Sequence, residues 1–324
     1  MKEISMLEGL GSALDPVGPP PQDLRRRVLS EALQSRSQRW WFGSRLGVRV
    51  AMVGGLAAVV TAVVLALQVV PFGSQGPAAR AEAADILHAA AVQASHQTDL
   101  RVRPEQFIWV ESIATVRATN EATRESAVES VRRTVWLSAD GTKDGLIRQE
   151  SRPGGTASDI VVPGCKDGVM TQSKGSDTGT SSCKPSPAYV ADLPTDADTM
   201  LNYLYHNVDG TKNPRDQEAF STAANLIREA YLRPASLSAL FTAVAKIPGV
   251  TVVGDVTDEA GRKGVAISLN EVQDTRTDLI FDRNSHAYIG TRTVMATGAD
   301  GLHAGDLLYS AAVLSIKVVD RVGG

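Results

Sequence analysis

The sequence predicts an α+β protein: an N-terminal transmembrane helix, then an extracytoplasmic antiparallel, half-barrel-like sheet that carries a three-helix insertion. Three observations support this. Residues 50–70 are twenty-one positions without a charge, long enough as a helix to cross a hydrocarbon core. Further on, Val, Ile, Thr and Trp gather in short runs separated by Gly, Asp and Asn, the pattern of strands and turns. Between two groups of such runs, residues 193–249 return to a helical period punctuated by prolines.

The N-terminal part divides at residue 47. Residues 1–47 form a basic cytoplasmic tail, 48–70 the membrane helix, 71–79 a linker and 80–324 the outer domain. In the tail, Pro19-Pro20-Pro21 cannot continue a helix. Asp23 then caps a short amphipathic helix with Leu24, Val28, Ala32 and Leu33 on one side. Arg25, Arg26, Arg27, Arg36, Arg39, Arg45 and Arg49 precede the apolar run, and the nearest cation after it is Arg80. By the positive-inside rule the tail stays in the cytoplasm and the protein is a single-pass protein of the cell membrane. These arginines, with Trp40, Trp41 and Phe42, suit an anionic lipid bilayer surface; the tail is also where a cytoplasmic regulator would bind. A cleaved signal peptide is the alternative, with Ala79-Arg80-Ala81 as its small-residue site.

The outer domain opens with an Ala-rich helix over residues 79–97, its stripe being Ala83, Ile86, Leu87, Ala90 and Ala94. Residues 107–117, 130–137 and 146–148 read as neighbouring antiparallel strands, with Ser138-Ala139-Asp140-Gly141 turning the chain. Residues 151–188 read as a long polar loop. Three helices follow. Thr195 and Asp198 make a capping box before Met200, Leu201, Leu204 and Val208. Asn213-Pro214 starts the second, with Phe220, Ala223, Ala224, Ile227 and Tyr231 inward. Pro234 starts the third, which stops at Pro248-Gly249. The last eighty residues predict a five-strand meander, in which Val265, Ile267 and Leu269 alternate with Ala266 and Ser268 as a one-sided sheet requires.

Charge and cysteines narrow the function. Residues 1–49 hold eight Lys and Arg against five Asp and Glu, whereas residues 71–324 hold 25 against 31. An acidic outer domain excludes nucleic acid as its partner. The two cysteines, Cys165 and Cys183, lie in a Gly/Ser-rich stretch on the outer side, where a disulfide forms readily; two free thiols are the alternative.

No residues declare an enzyme, a cofactor or a metal. His88, His96, His206, His286 and His303 have no ligand spacing among them. There is no nucleophile elbow, phosphate loop or zinc-protease motif. Asp192, Asp196 and Asp198 lack the glycine and distal Glu of a calcium loop, and suit a helix N-terminus. The aromatic residues, Tyr231, Tyr288 and Tyr309 among them, fall on predicted elements and read as core. Helices on the concave side of a curved sheet can still leave an apolar pocket for a lipid or protein ligand.

The order of basic tail, single span, then QFIWVES, RRTVWLSADG, LPTDADTMLNYLY, IREAYLRPASLSALFTAVAKIPGV, GRKGVAI and LIFDRNSHAYIGTRTV resembles a family of actinobacterial single-span membrane proteins of undefined function. Genes of that family often lie beside sigma-factor genes, which implies a role in envelope sensing. At the level of fold alone, the outer domain looks like the half-barrel of lipoprotein carriers and of periplasmic regulators of sigma-factor release. Zinc-binding anti-sigma modules carry His and Cys in their cytoplasmic part, and residues 1–49 contain neither. The expectation is a membrane-anchored binding or sensor protein. A lipid- or lipoprotein-handling domain without signalling is the alternative, and a hydrolase assembled from dispersed residues ranks below both.

Overall fold

A computed structural model of the chain describes residues 76–119, 126–174, 177–206, 214–269, 275–298 and 302–323. The expected tail, membrane helix and most of the linker, with Arg25, Arg26, Arg27, Arg36, Arg39, Arg45 and Arg49, lie outside them. Among the described residues no helix is long and apolar enough to cross a membrane.

The first described element is α1 (Pro77–Ser95), which starts two residues earlier than expected because Pro77 suits the first helical position. Strands β1 (Phe107–Thr119), β2 (Ser126–Ser138) and β3 (Gly145–Ser151) follow as predicted, each longer than its apolar run. The stretch expected to be a polar loop is largely strand instead: β4 (Ala157–Val162), β5 (Val169–Lys174) and β6 (Asp177–Ser182). Its Ser, Thr and Gly residues hide the strand signal, since a two-stranded hairpin in solvent has no apolar face to display. The three inserted helices are α2 (Ala197–His206), α3 (Arg215–Arg228) and α4 (Pro234–Val244), and the meander is β7 (Val250–Thr257), β8 (Lys263–Leu269), β9 (Thr275–Asp282), β10 (Tyr288–Met295) and β11 (Leu307–Val319).

Nine strands form one antiparallel sheet in the order β4-β3-β2-β1-β11-β10-β9-β8-β7, with β5 and β6 apart as a hairpin. The first strand therefore pairs with the last, Phe107 opposite Val319. On one face of the β7–β9 region, α1 packs against α4 and β7, and α3 against β9 and β10. Alanines make this contact close: Ala83, Ala90, Ala94, Ala239 and Ala243 are buried together with Leu87, Leu240, Phe241, Ile267 and Phe281. The same face at the other end of the sheet holds Ile108, Val110, Val135, Leu137 and Ile147, covered by Ala188 and Tyr231.

Two helix signals shift. The cap of α2 is Asp196, whose carboxylate accepts the Thr199 amide at 2.9 Å, rather than Thr195. Tyr231 lies beyond the end of α3 and forms a parallel bridge with Tyr189. Asn213 and Val208 fall outside the described residues.

The alternation expected in β8 does not leave one face exposed: Ala266 and Ser268 are as buried as Ile267. Bulges explain this. Val253 is an extra residue in β7 opposite β8, and Ile289 one in β10 opposite β9. Both join Val256, Ala266 and Ile280 in a second, smaller core on the face away from the helices. The turn at residues 258–262 lies over that core. The Arg262 guanidinium donates to the Ile289 and Val313 carbonyls, each at 2.9 Å, and Thr115 of β1 donates to Glu259 at 2.6 Å. Beside it, Asp278 has no exposed surface and accepts from Arg276 at 2.8 Å and from Arg292 at 2.7 Å.

The disulfide expected between Cys165 and Cys183 is present, with Cα atoms 5.9 Å apart. It closes the foot of the β5–β6 hairpin against the β2–β3 turn, where the Cys165 amide donates to the Gly141 carbonyl. Gly141 has φ +77°, and a Cβ there would lie 2.6 Å from the Ser186 backbone, so glycine alone fits.

Replacing Asp278 with Ala withdraws the carboxylate from two buried guanidinium groups. We expect a loss of about 3–5 kcal/mol of stability, read by chemical denaturation.

Candidate binding site

Between the two apolar clusters on the helix face lies a polar strip. Arg133 of β2 points inward at a position that alternation assigns to an apolar side chain, between Val131 and Val135. Its guanidinium donates to both carboxylate oxygens of Glu229, at 2.6 and 3.3 Å, and the two side chains are 5% and 10% exposed. Burial works against the Arg133 charge, yet Glu229 outweighs it and holds the group above its ordinary range. Next to this pair the Arg228 guanidinium stacks 5.6 Å from the Tyr309 ring centre. Burial and then the Glu229 charge push the Tyr309 hydroxyl up to about 12.

Two donors in this strip have no acceptor. The Tyr288 hydroxyl and the Arg228 Nε are buried and make no hydrogen bond. Burial pushes the Tyr288 hydroxyl well above the usual phenol range. Tyr288 packs edge-on against Phe281, centroids 6.0 Å apart, so its ring is fixed by the core while its hydroxyl is left over.

That residue lines a cavity of about 180 Å³ whose other walls include Leu100, Ile227, Leu232, Leu237 and Ile316. Residues 97–100, which follow α1, form its rim. They are tied down by Tyr231, whose hydroxyl donates to Asp99 and accepts the Leu100 amide, both at 2.8 Å. Burial pushes the Tyr231 hydroxyl up to about 12. The Arg101 amide holds the Asp99 carboxyl below its ordinary value. Pockets that take small molecules are typically about 300–1,000 Å³, and this cavity lies below that range.

A wider, open depression of about 550 Å³ lies beside Tyr205, Pro214, Arg215 and Asp216. Its lining is polar.

The structure brings together only part of what the sequence singles out. Tyr231, Tyr288 and Tyr309 converge on the strip. Among the described residues no three His, Cys, Asp or Glu side chains form a metal site, and both cysteines are consumed by the disulfide. His303 approaches Asp306 at 3.9 Å but is 90% exposed. Asp196 caps α2, and Asp198 pairs with Lys246 at 2.6 Å, as structural carboxylates do. Arg133, Arg228 and Glu229 escape sequence reasoning because charged residues ordinarily face water. The available signal was parity, since Val131, Arg133, Val135 and Leu137 share one side of β2.

No known protein family matches the chain, and no curated protein matches it. Among solved structures it is similar to a chain of the Pseudomonas aeruginosa MucA/MucB complex, at 10% identity and a TM-score of 0.27 over 75% of this chain. It spans only 59% of that protein's length. A LolA superfamily protein from Nitrosomonas europaea matches at 8% identity and a TM-score of 0.22, covering 74% of this chain and 94% of that one. A DUF1329 family protein from Desulfovibrio piger matches at 7% identity and a TM-score of 0.22, covering 74% and 92%. Likenesses this distant transfer no residue, ligand or partner. None of them shows the actinobacterial family or a link to sigma factors.

The rim responds to acid. Because the Asp99 pKa is lower in the folded chain than in the unfolded one, the Tyr231 link is fully present above the ordinary carboxylate value of about 4. It is lost as pH falls through the lower, folded value. Hydrogen exchange corrected for intrinsic rates should show Leu100 losing protection below about pH 4 while core amides keep theirs, and Asp99→Ala should abolish the step.

Proposed function

We propose that residues 76–324 are the extracytoplasmic binding domain of a membrane-anchored protein, and that its ligand is a molecule with an apolar tail and a hydrogen-bond-accepting head. The observation that carries this reading is the unpaired Tyr288 hydroxyl in the wall of a mainly apolar cavity rimmed by residues 97–100. A buried donor without an acceptor costs about 1–3 kcal/mol. A carboxylate or ester oxygen in the cavity would relieve it at Tyr288. The alternative without signalling, a lipid- or lipoprotein-handling domain, uses the same cavity.

The outward address rests on the uncharged run at residues 50–70 and on the disulfide, which persists in oxidising compartments. In this reading the arginine-rich tail rests on anionic headgroups and is the part through which occupancy outside reaches a cytoplasmic regulator. Maleimide labelling of intact cells checks the address: Cys165 and Cys183 should stay unlabelled until reductant is added. Free thiols in untreated cells would contradict it.

Tyr288→Phe separates binding from stability. Removing the unpaired hydroxyl should raise the stability of the empty protein by about 1 kcal/mol. It should also weaken binding of a conjugated-polyene fatty acid, followed by its fluorescence with the full chain in nanodiscs, by about tenfold. Equal binding by wild type and variant would remove the site.

A further inference from the structure

The two ends of the nine-stranded sheet are finished differently. At the β7 end the ladder is interrupted by the Val253 bulge and α1 packs beside the strand, two devices that keep a sheet edge from pairing. The β4 end has neither. Residues 157–162 pair with β3 without a register shift, and no turn or loop backbone bond among the described residues reaches them. Within Ala157–Val162 there is no Pro or Lys, and Val161 is 61% exposed. The strand's single charge, Asp159, is neutralised by a two-pronged bond from Arg148, at 2.8 and 2.7 Å. What remains is an edge without bulge, proline or lysine, its outward amides and carbonyls lacking a backbone partner among the described residues.

We propose that β4 pairs antiparallel with β4 of a second copy of this chain, joining the two sheets edge to edge. Two-fold symmetry restricts the register, because residues directly opposite must share a face. Two registers overlap most of the six-residue strand. One sets Asp159 against Asp159 of the second copy, and like charges directly opposite repel. The other sets Ile160 against Ile160, with Ser158 opposite Val162 and Asp159 opposite Val161. This register brings no like charges together. It also extends the row formed by Ile147, Ile160 and Val162, which already packs on the helix-face core. A pairing of one short strand buries less than the roughly 1,200 Å² of a standard stable interface, so the dimer is weak and concentration-dependent.

The test uses the full chain in detergent. Sedimentation velocity over a concentration series should show a monomer–dimer equilibrium. A short bis-maleimide should link Val161→Cys into dimers, but not Val92→Cys, a control on α1 that is 58% exposed. The register makes a sharper demand. Val161→Glu places a carboxylate opposite Asp159 of the second copy and should weaken the dimer about tenfold or more, whereas Val161→Lys meets an opposite charge and should not. Both changes sit on an exposed edge, and unchanged thermal midpoints would verify folding. Monomer at every concentration overturns the proposal and leaves the edge to an extended segment of another protein. Equal linking at Val92, or equal weakening by Glu and Lys, overturns it as well.

Discussion

A nine-stranded antiparallel sheet has two large faces and too few helices to cover both, and this chain resolves the mismatch by bending the ladder. Extra residues at Val253, Ile289, Leu308 and Leu314 all lie in the β7–β11 half. Each one locally increases twist and redirects its neighbours. Bending lets the 258–262 turn cover the outer face while four helices cover the inner one. The β1–β4 half has no such insertion in its own strands. It is served instead by extended segments, residues 97–106 and 186–193, fastened by Tyr231 and by the disulfide-braced turn.

Charge is buried in both halves, with different consequences. On the outer face Asp278 accepts from both Arg276 and Arg292, and one Arg292 donor, Nη2, is left without a partner. On the inner face Arg133 and Glu229 are matched to each other, but their neighbours Arg228 and Tyr288 keep unused donors. An incomplete buried network is costly in a low-dielectric interior. In the proposed reading, the acceptor missing at the cavity wall beside Tyr288 belongs to the ligand. Stability forgone at such a position is recovered only when the position is filled.

Much of this architecture was legible in the residues. Pro214 and Pro234 marked helix starts, the stripes of α1 and α3 gave their buried faces, and β-branched runs located β1, β2 and the meander. Physical reasons account for the rest. The β5–β6 hairpin buries little, so its sequence carries no alternation to detect. Bulges depend on cross-strand register, which local pattern does not encode, and so the two-sided burial of β8 was invisible. The strip joins Arg133 to Glu229 across 96 positions and Tyr288 to Arg228 across two elements, distances at which spacing says nothing. Only the parity of Arg133 in β2 hinted that a cation faces inward.

The placing of β11 between β1 and β10 has a consequence for biogenesis. The β1–β4 ladder is encoded early and the β7–β10 ladder late, and among the described residues no strand but β11 joins them. Until it arrives, β1 presents a thirteen-residue edge and the inner apolar surface of that half stays wet. Such long-range closure is slow and aggregation-prone. A polypeptide emerging N-terminus first would need shelter throughout its synthesis, and a stop codon after β10 but before position 307 would leave two fragments of sheet with no strand to join them.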